Sequence, residues 1–281
     1  MRLSPGVTSI ILSTLFFAVM NVGVKLIGQV PVHEIVLFRS LTTLVVGYVV
    51  LRLRGIRPWG NNHALLVARG LAGTVALLLY FWTLQRMPLA SAVTVQYLNP
   101  IFTVLISALL LREPPRLIQL PFFAVAFAGV VLVKGFDPRV TVVELAVGVT
   151  SALFSGLAYN LIRLLRDHDH SMVVVFYFPL VTVPIVGPYT LLHWHPPTPF
   201  EWGGLLGVGL ATTVAQVFLT RAYQLDRASN ISIFNYLGIV FALLLGLGLF
   251  DEVPGPLALG GVLLITLGVG LSTRYSRRHD P

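Results

Sequence analysis

An all-α integral membrane protein with ten transmembrane helices, built as two inverted-topology five-helix repeats, is the fold class that this 281-residue sequence predicts. Three observations lead there. Long apolar runs joined by short connectors fill the chain from Leu3 to Thr273. Charged residues make up 11% of it, against about 25% in soluble domains. The two halves also match when one is slid along the other.

A helix needs about 20 apolar residues to cross roughly 30 Å of hydrocarbon. Backbone groups find no water there and must pair within their own segment, so the spans are helices. The first span is expected over 4–28; it is too long for a cleavable signal peptide and lacks a small-residue exit. It carries Asn21 and Lys25 and ends at the Gly28–Pro31 turn. The second, 32–53, carries Glu34 and Arg39 and runs into Arg52, Arg54 and Arg57. The third, 63–86, holds Arg69, Tyr80 and Trp82, and the fourth, 88–111, holds the stretch Gln96 to Pro100. The fifth, 116–134, lies between the proline turns at 112–115 and 135–138. The sixth, 141–166, has Tyr159, Asn160 and a ladder of Gly148, Ala152 and Gly156. The seventh, 171–193, contains Tyr177, and the eighth, 199–224, contains Gly203 and Gly207 at the same spacing. Such ladders let helix backbones approach closely and are expected as packing surfaces. The ninth, 228–250, contains Asn235, Tyr236 and Gly238, and the tenth, 255–274, follows the prolines at 254 and 256.

The net charge of +8 does not indicate nucleic acid. The basic residues are spread over the connectors and form no stripe. With the N-terminus inside, most of them fall on one side of the membrane, leaving only Arg86, Lys134, Arg139 and the outer-end Lys25 opposite. The asymmetry predicts a multi-pass protein of the cell (inner) membrane with both termini in the cytoplasm. The absence of cysteine removes disulfides, thiolate chemistry and cysteine-based metal sites.

A shift of about 139 residues places Asn21 over Asn160, Val36 over Val175, and Glu113 beside Glu252. The repeats are expected as 1–138 and 139–281. Five spans each is an odd number, so the second repeat is inverted. In secondary transporters such a duplication puts a binding site near the midplane between the repeats.

Two five-helix units, Arg39 in the second span, and the stretch Leu84 to Pro100 leading to Leu109–Glu113 resemble the EamA-type transporters of the drug/metabolite transporter superfamily. The resemblance covers nearly the whole chain; it is strong for the fold and poor for the substrate. It implies a secondary transporter that moves a small organic metabolite or drug across the cytoplasmic membrane by alternating access. The third and fourth spans look most like members that take up riboflavin or S-adenosylmethionine. Amino-acid or drug export by the same fold stays open. The counterpart of Arg39 is Phe178, so a charged contact there is one-sided.

Intramembrane polar residues are the candidate site, because they must be hidden from lipid. Asn21 and Asn160 occupy matching positions and are expected to face one pocket or to bond between helices. Pro100 has no N–H and leaves the carbonyl of Gln96 free, beside the Gln96 and Asn99 side chains. Asn235 and Tyr236 repeat that notch in the ninth span. Tyr80, Tyr97, Tyr159 and Tyr177 suit a flat or cationic organic ligand. Arg39, and after it Arg69, would recognise an anionic one; Gln216 and Arg221 are weaker candidates. Lys25 and Glu34 are expected as an ion pair closing the outer end, and Pro100 as a gating or coupling kink.

No span carries a central carboxylate, so protons or a counter-substrate are both open as coupling partners. His168, His170, His193 and His195 are read as solvated loop residues, with no metal site or cofactor. The partners expected are a small organic solute and the bilayer. An intramembrane enzyme would need a nucleophile with a base, paired carboxylates or metal ligands, and the spans offer none of these sets. A channel or scramblase would show flux without saturation.

Overall fold

The structure, a computed structural model, describes residues 4–86, 95–112, 119–134, 141–250 and scattered positions from 260 to 271. All regular structure among them is helical. Helix α1 (Pro5–Leu26) starts where Ser4 accepts the Val7 N–H, with proline in the first turn where no N–H is needed. After it come α2 (Val32–Leu53), α3 (His63–Arg86), α4 (Asn99–Leu110) and α5 (Gln119–Lys134).

Helix α6 (Val142–Leu164) opens on a reciprocal cap between Thr141 and Glu144, and α8 (Pro199–Leu225) opens on another between Thr198 and Glu201. Between them α7 (Ser171–Leu192) is capped by His170 and holds Pro179, Pro184 and Pro188 in its interior. A helical turn at Ala228–Ile231 and a 3₁₀ segment at Ser232–Tyr236 lead into α9 (Leu237–Phe250).

Six of these helices are long and apolar enough to cross a bilayer, and Asn99–Leu110 and Ser232–Phe241 are shorter apolar stretches. The expected fourth, fifth and tenth spans fall in part outside the described residues. Two expected spans are also interrupted. The fourth breaks into a turn at Tyr97 and Leu98 and restarts at Asn99, because Pro100 cannot donate to Gln96. The ninth tightens into the 3₁₀ segment before α9 instead of running straight from 228.

The principal packings all join the first half of the chain to the second. Helix α1 lies on α8 as α3 lies on α6, and α2 lies on α8 as α3 lies on α7. Likewise α4 lies on α6 as α1 lies on α9, while α2 and α7 pack on each other. Single hydrogen bonds follow the same matching. The Thr43 and Thr213 hydroxyls are 2.8 Å apart, and so are those of Thr74 and Thr182. The shift that aligns the halves carries each pair onto the other. Ser13 donates to the Ala215 carbonyl, and Ser151 to that of Ala76.

Close approach is needed at two of these crossings. A Cβ on Gly156 would lie 2.9 Å from the backbone nitrogen of Thr103, and one on Gly148 would lie 2.8 Å from Val95. The α6 ladder therefore packs as expected. The α8 ladder does not, since a Cβ at Gly203 or Gly207 meets nothing within 4 Å. The exposed side chains of the spans are mostly Leu and Val, as a lipid-facing surface requires.

Candidate functional site

Where the interrupted segments meet, aromatic residues gather. The Tyr97 and Tyr236 rings are 6.0 Å apart, and a Cβ on Gly238 would come within 2.9 Å of the Tyr97 hydroxyl. Tyr159 of α6 stacks on Tyr223 of α8 at 4.9 Å, and the Tyr223 hydroxyl is 3.2 Å from Ser232 Oγ and accepts from Asn235 Nδ2. Tyr80, on α3, lies within electrostatic range of Tyr97. Tyr80, Tyr97 and Tyr159 each keep part of their surface accessible. The three belong to one aromatic cluster between the halves.

Two arginines stand beside it. Arg39 (5% exposed) and Arg69 (2% exposed) lie within electrostatic range of each other and of Tyr159. The Arg69 guanidinium lies over Phe178 of α7, 4.8 Å from the ring centroid, and its Nη2 is 3.4 Å from Gln216 Oε1. Arg69 Nε and Nη1 have no partner among the described residues. Gly73, one turn further along α3, leaves the space: a Cβ there would be 2.5 Å from Arg69 Nη1. The sequence pointed to Arg39 first. Arg69 is the more enclosed of the two, and neither Gly73 nor the role of Phe178 as its platform was legible.

The other candidates are distributed as follows. Gln96 donates to Ser155 Oγ at 2.9 Å, and its Oε1 is 3.0 Å from Ser151 Oγ, so it is held by α6. Asn160 donates to the carbonyls of Thr103 and Gly156, while Asn99 is buried with Oδ1 unpartnered. Asn21 is exposed and lies roughly 140° around α1 from the exposed Leu15, Val19 and Leu26 at 100° per residue. The two amides thus occupy unlike surroundings. Tyr236 is fully buried with its hydroxyl unpartnered. Tyr177 stands apart from the cluster: its hydroxyl donates to the Trp59 carbonyl at 2.6 Å and meets His63 Nδ1 at 3.0 Å. Pro100 is buried in the first turn of α4. The Lys25 side chain lies outside the described residues.

Glu34 is fully buried, and its Oε1 accepts the His195 N–H at 2.6 Å, tying α2 to the α7–α8 connector. At the opposite end of the bundle Asp169 accepts the N–H groups of Asn61 and Asn62, at 2.6 and 3.1 Å. Both contacts bind the first half to the second. A recess of about 410 Å³ beside Asp169 is lined by Arg166, His168, His170, Arg221 and Gln224. It lies at the end of the bundle, away from the tyrosines.

Comparison with known proteins follows from this geometry. The EamA-like transporter family matches residues 4–135 and again 143–274. The pseudopaline exporter CntI of Pseudomonas aeruginosa is 35% identical over 277 residues, 96% of each chain. An uncharacterized transporter of Helicobacter pylori is 31% identical over 262 residues, 88% of this chain and 87% of its own. One crystal structure, 21% identical, superimposes with a TM-score of 0.87 over the whole of both chains, a likeness of fold. None of these relatives is named for riboflavin or S-adenosylmethionine, so the expected lean toward such a solute goes no further.

Proposed function

Because the chain belongs to the EamA-like transporter family of the drug/metabolite transporter superfamily, we propose that it is a secondary transporter working by alternating access. The solute is a small organic molecule held in a hollow beside Tyr80, Tyr97 and Tyr159. One observation carries this reading: tyrosines with accessible faces gather where interrupted helices of both halves meet. Matched crossings such as Thr43–Thr213 and Thr74–Thr182 support repeats of opposite topology, with boundaries near 1–138 and 139–281.

The contacts at the two ends suit the same cycle. Opening one end parts Glu34 from His195, and opening the other parts Asp169 from Asn61 and Asn62. Likeness to a pseudopaline exporter favours outward movement, from the cytoplasm through the cell membrane, and makes pseudopaline the first solute to test. The experiment is counterflow in liposomes of the purified protein. Saturable uptake of labelled solute against an unlabelled load is expected. Linear flux without saturation indicates a channel, and no flux of any organic solute in either direction overturns the reading.

A further inference from the structure

Buried guanidinium groups need an anion or a full set of acceptors, since a charge left uncompensated in a low-dielectric interior costs several kcal/mol. Arg39 and Arg69 have neither. The guanidinium of Arg39 makes no hydrogen bond or ion pair among the described residues. Arg69 has one long contact to Gln216 and two unpartnered nitrogens. Glu34, the buried glutamate of α2, is turned to His195 and is not among the charges acting on either arginine.

Among the described residues, the second half of the chain offers no carboxylate acting on either arginine. Phe178 stands at the position that matches Arg39, and the guanidinium carbon of Arg69 lies 4.8 Å from its ring centroid. That contact leaves Nε and Nη1 free among the described residues. Tyr159 is near both cations and keeps part of its surface accessible. Two forks, an aromatic hydroxyl and a flat aromatic wall form a receptor for a planar anion. A guanidinium pairs with a carboxylate through two parallel hydrogen bonds. Sequestered behind tyrosines, the pair meets only an anion that enters the hollow.

We propose that Arg39 and Arg69 together bind the carboxylate of the transported solute, which makes the substrate class an organic acid with a flat or aromatic body. The role assigned rests on the transport reading above; the binding itself does not. A bulk inorganic anion such as chloride offers the same charge without the fork geometry, and the test separates the two.

The full-length protein is purified, and its thermal unfolding midpoint is measured in sodium acetate, sodium succinate and sodium chloride at equal ionic strength, and in neutral acetamide. Wild type and the double variant Arg39→Gln/Arg69→Gln are compared. The carboxylates are expected to raise the wild-type midpoint by at least about 3 °C over chloride. Acetamide is expected to do nothing, and the variant to respond alike to all salts. Equal midpoints in carboxylate and chloride, or the same carboxylate shift in the variant, overturn the proposal. Should the double variant not fold, Gly73→Ala, which displaces the Arg69 fork, replaces it with the same expected loss of the shift. Carboxylate binding without any liposome flux would refute transport and leave the site standing. Flux of a neutral solute that ignores both substitutions would do the reverse.

Discussion

Arg69 rests on Phe178, with its guanidinium carbon 4.8 Å from the ring centroid, and Phe178 occupies in the second half the place that Arg39 holds in the first. One half therefore brings charge to the cluster, and the other brings an aromatic face. Two identical halves could provide only two arginines or two phenylalanines at that crossing. Divergence at two matched positions, Arg39 against Phe178 and Arg69 against Val208, made the site polar on one side.

Tyr159 separates ring from hydroxyl. Its stacking on Tyr223 at 4.9 Å survives in Tyr159→Phe and is lost in Tyr159→Ala. Initial flux in liposomes is expected to fall about tenfold or more in Tyr159→Ala, the worth of roughly 1.4 kcal/mol of aromatic contact, and only in part in Tyr159→Phe. Flux equal to wild type in the alanine variant, with normal insertion, would remove Tyr159 from the solute path.

The matched threonine crossings should cost alike. Thr43→Val and Thr74→Val each remove one interhelical hydroxyl contact of 2.8 Å. Such contacts average about 0.6 kcal/mol in membrane proteins. Double-mutant cycles with Thr213→Val and Thr182→Val, read by unfolding in detergent, are expected to return two couplings of similar size. Widely different values would mean that the crossings are not mechanical equivalents.

Asp169 is buried, and it accepts two backbone N–H groups from the α2–α3 connector. Asp169→Ala strands both donors, at about 1–3 kcal/mol each. The unfolding midpoint should drop by several degrees, and Asp169→Asn should restore a part of it. An unchanged midpoint in Asp169→Ala would show that water replaces the carboxylate without loss.

Acid should weaken the same end of the bundle. His170 Nδ1 accepts the Met172 N–H at 3.1 Å, which only the neutral ring can do. Burial, with Arg54 as a second cause, holds its pKa below the ordinary 6.5. Between the folded-state value and 6.5 the unfolded chain binds more protons, so stability rises with pH across that window. The contribution is complete above about pH 6.5 and is lost as pH falls below it. Midpoints measured from pH 7.5 down to 5.5 should fall less steeply in His170→Asn, whose amide caps without titrating. Equal slopes would exclude His170 as the titrating group.

The notches were legible in the sequence because they have a covalent cause. A proline without an N–H at 100 and an amide-aromatic-glycine run at 235–238 mark weak helix from composition alone. The tyrosines were legible as residue types, but their division was not. Tyr177 and Tyr159 read alike along the chain, yet one hydroxyl meets the Trp59 carbonyl while the other ring stacks on Tyr223. Which neighbour a side chain finds depends on contacts between residues more than 60 apart, and no local pattern encodes those. Gly73 is a further case. A glycine in a span usually signals close helix packing; here it also makes room for an arginine of its own helix, with the Phe178 ring of α7 2.9 Å from where a Cβ would lie. Glu34 was expected to pair with Lys25 across the Gly28–Pro31 turn; its Oε1 bonds to His195, a partner 161 residues away, and the Lys25 side chain lies outside the described residues.

The crossings between α1 and α8, α3 and α6, and α2 and α7 have one more consequence, for biogenesis. A polypeptide cut in the connector before α6 would yield two fragments whose main contact surfaces are each other's. Either fragment made alone would present unpaired helix faces to the bilayer and be degraded. Made together, they would find one another without a linker, as two separately encoded subunits would.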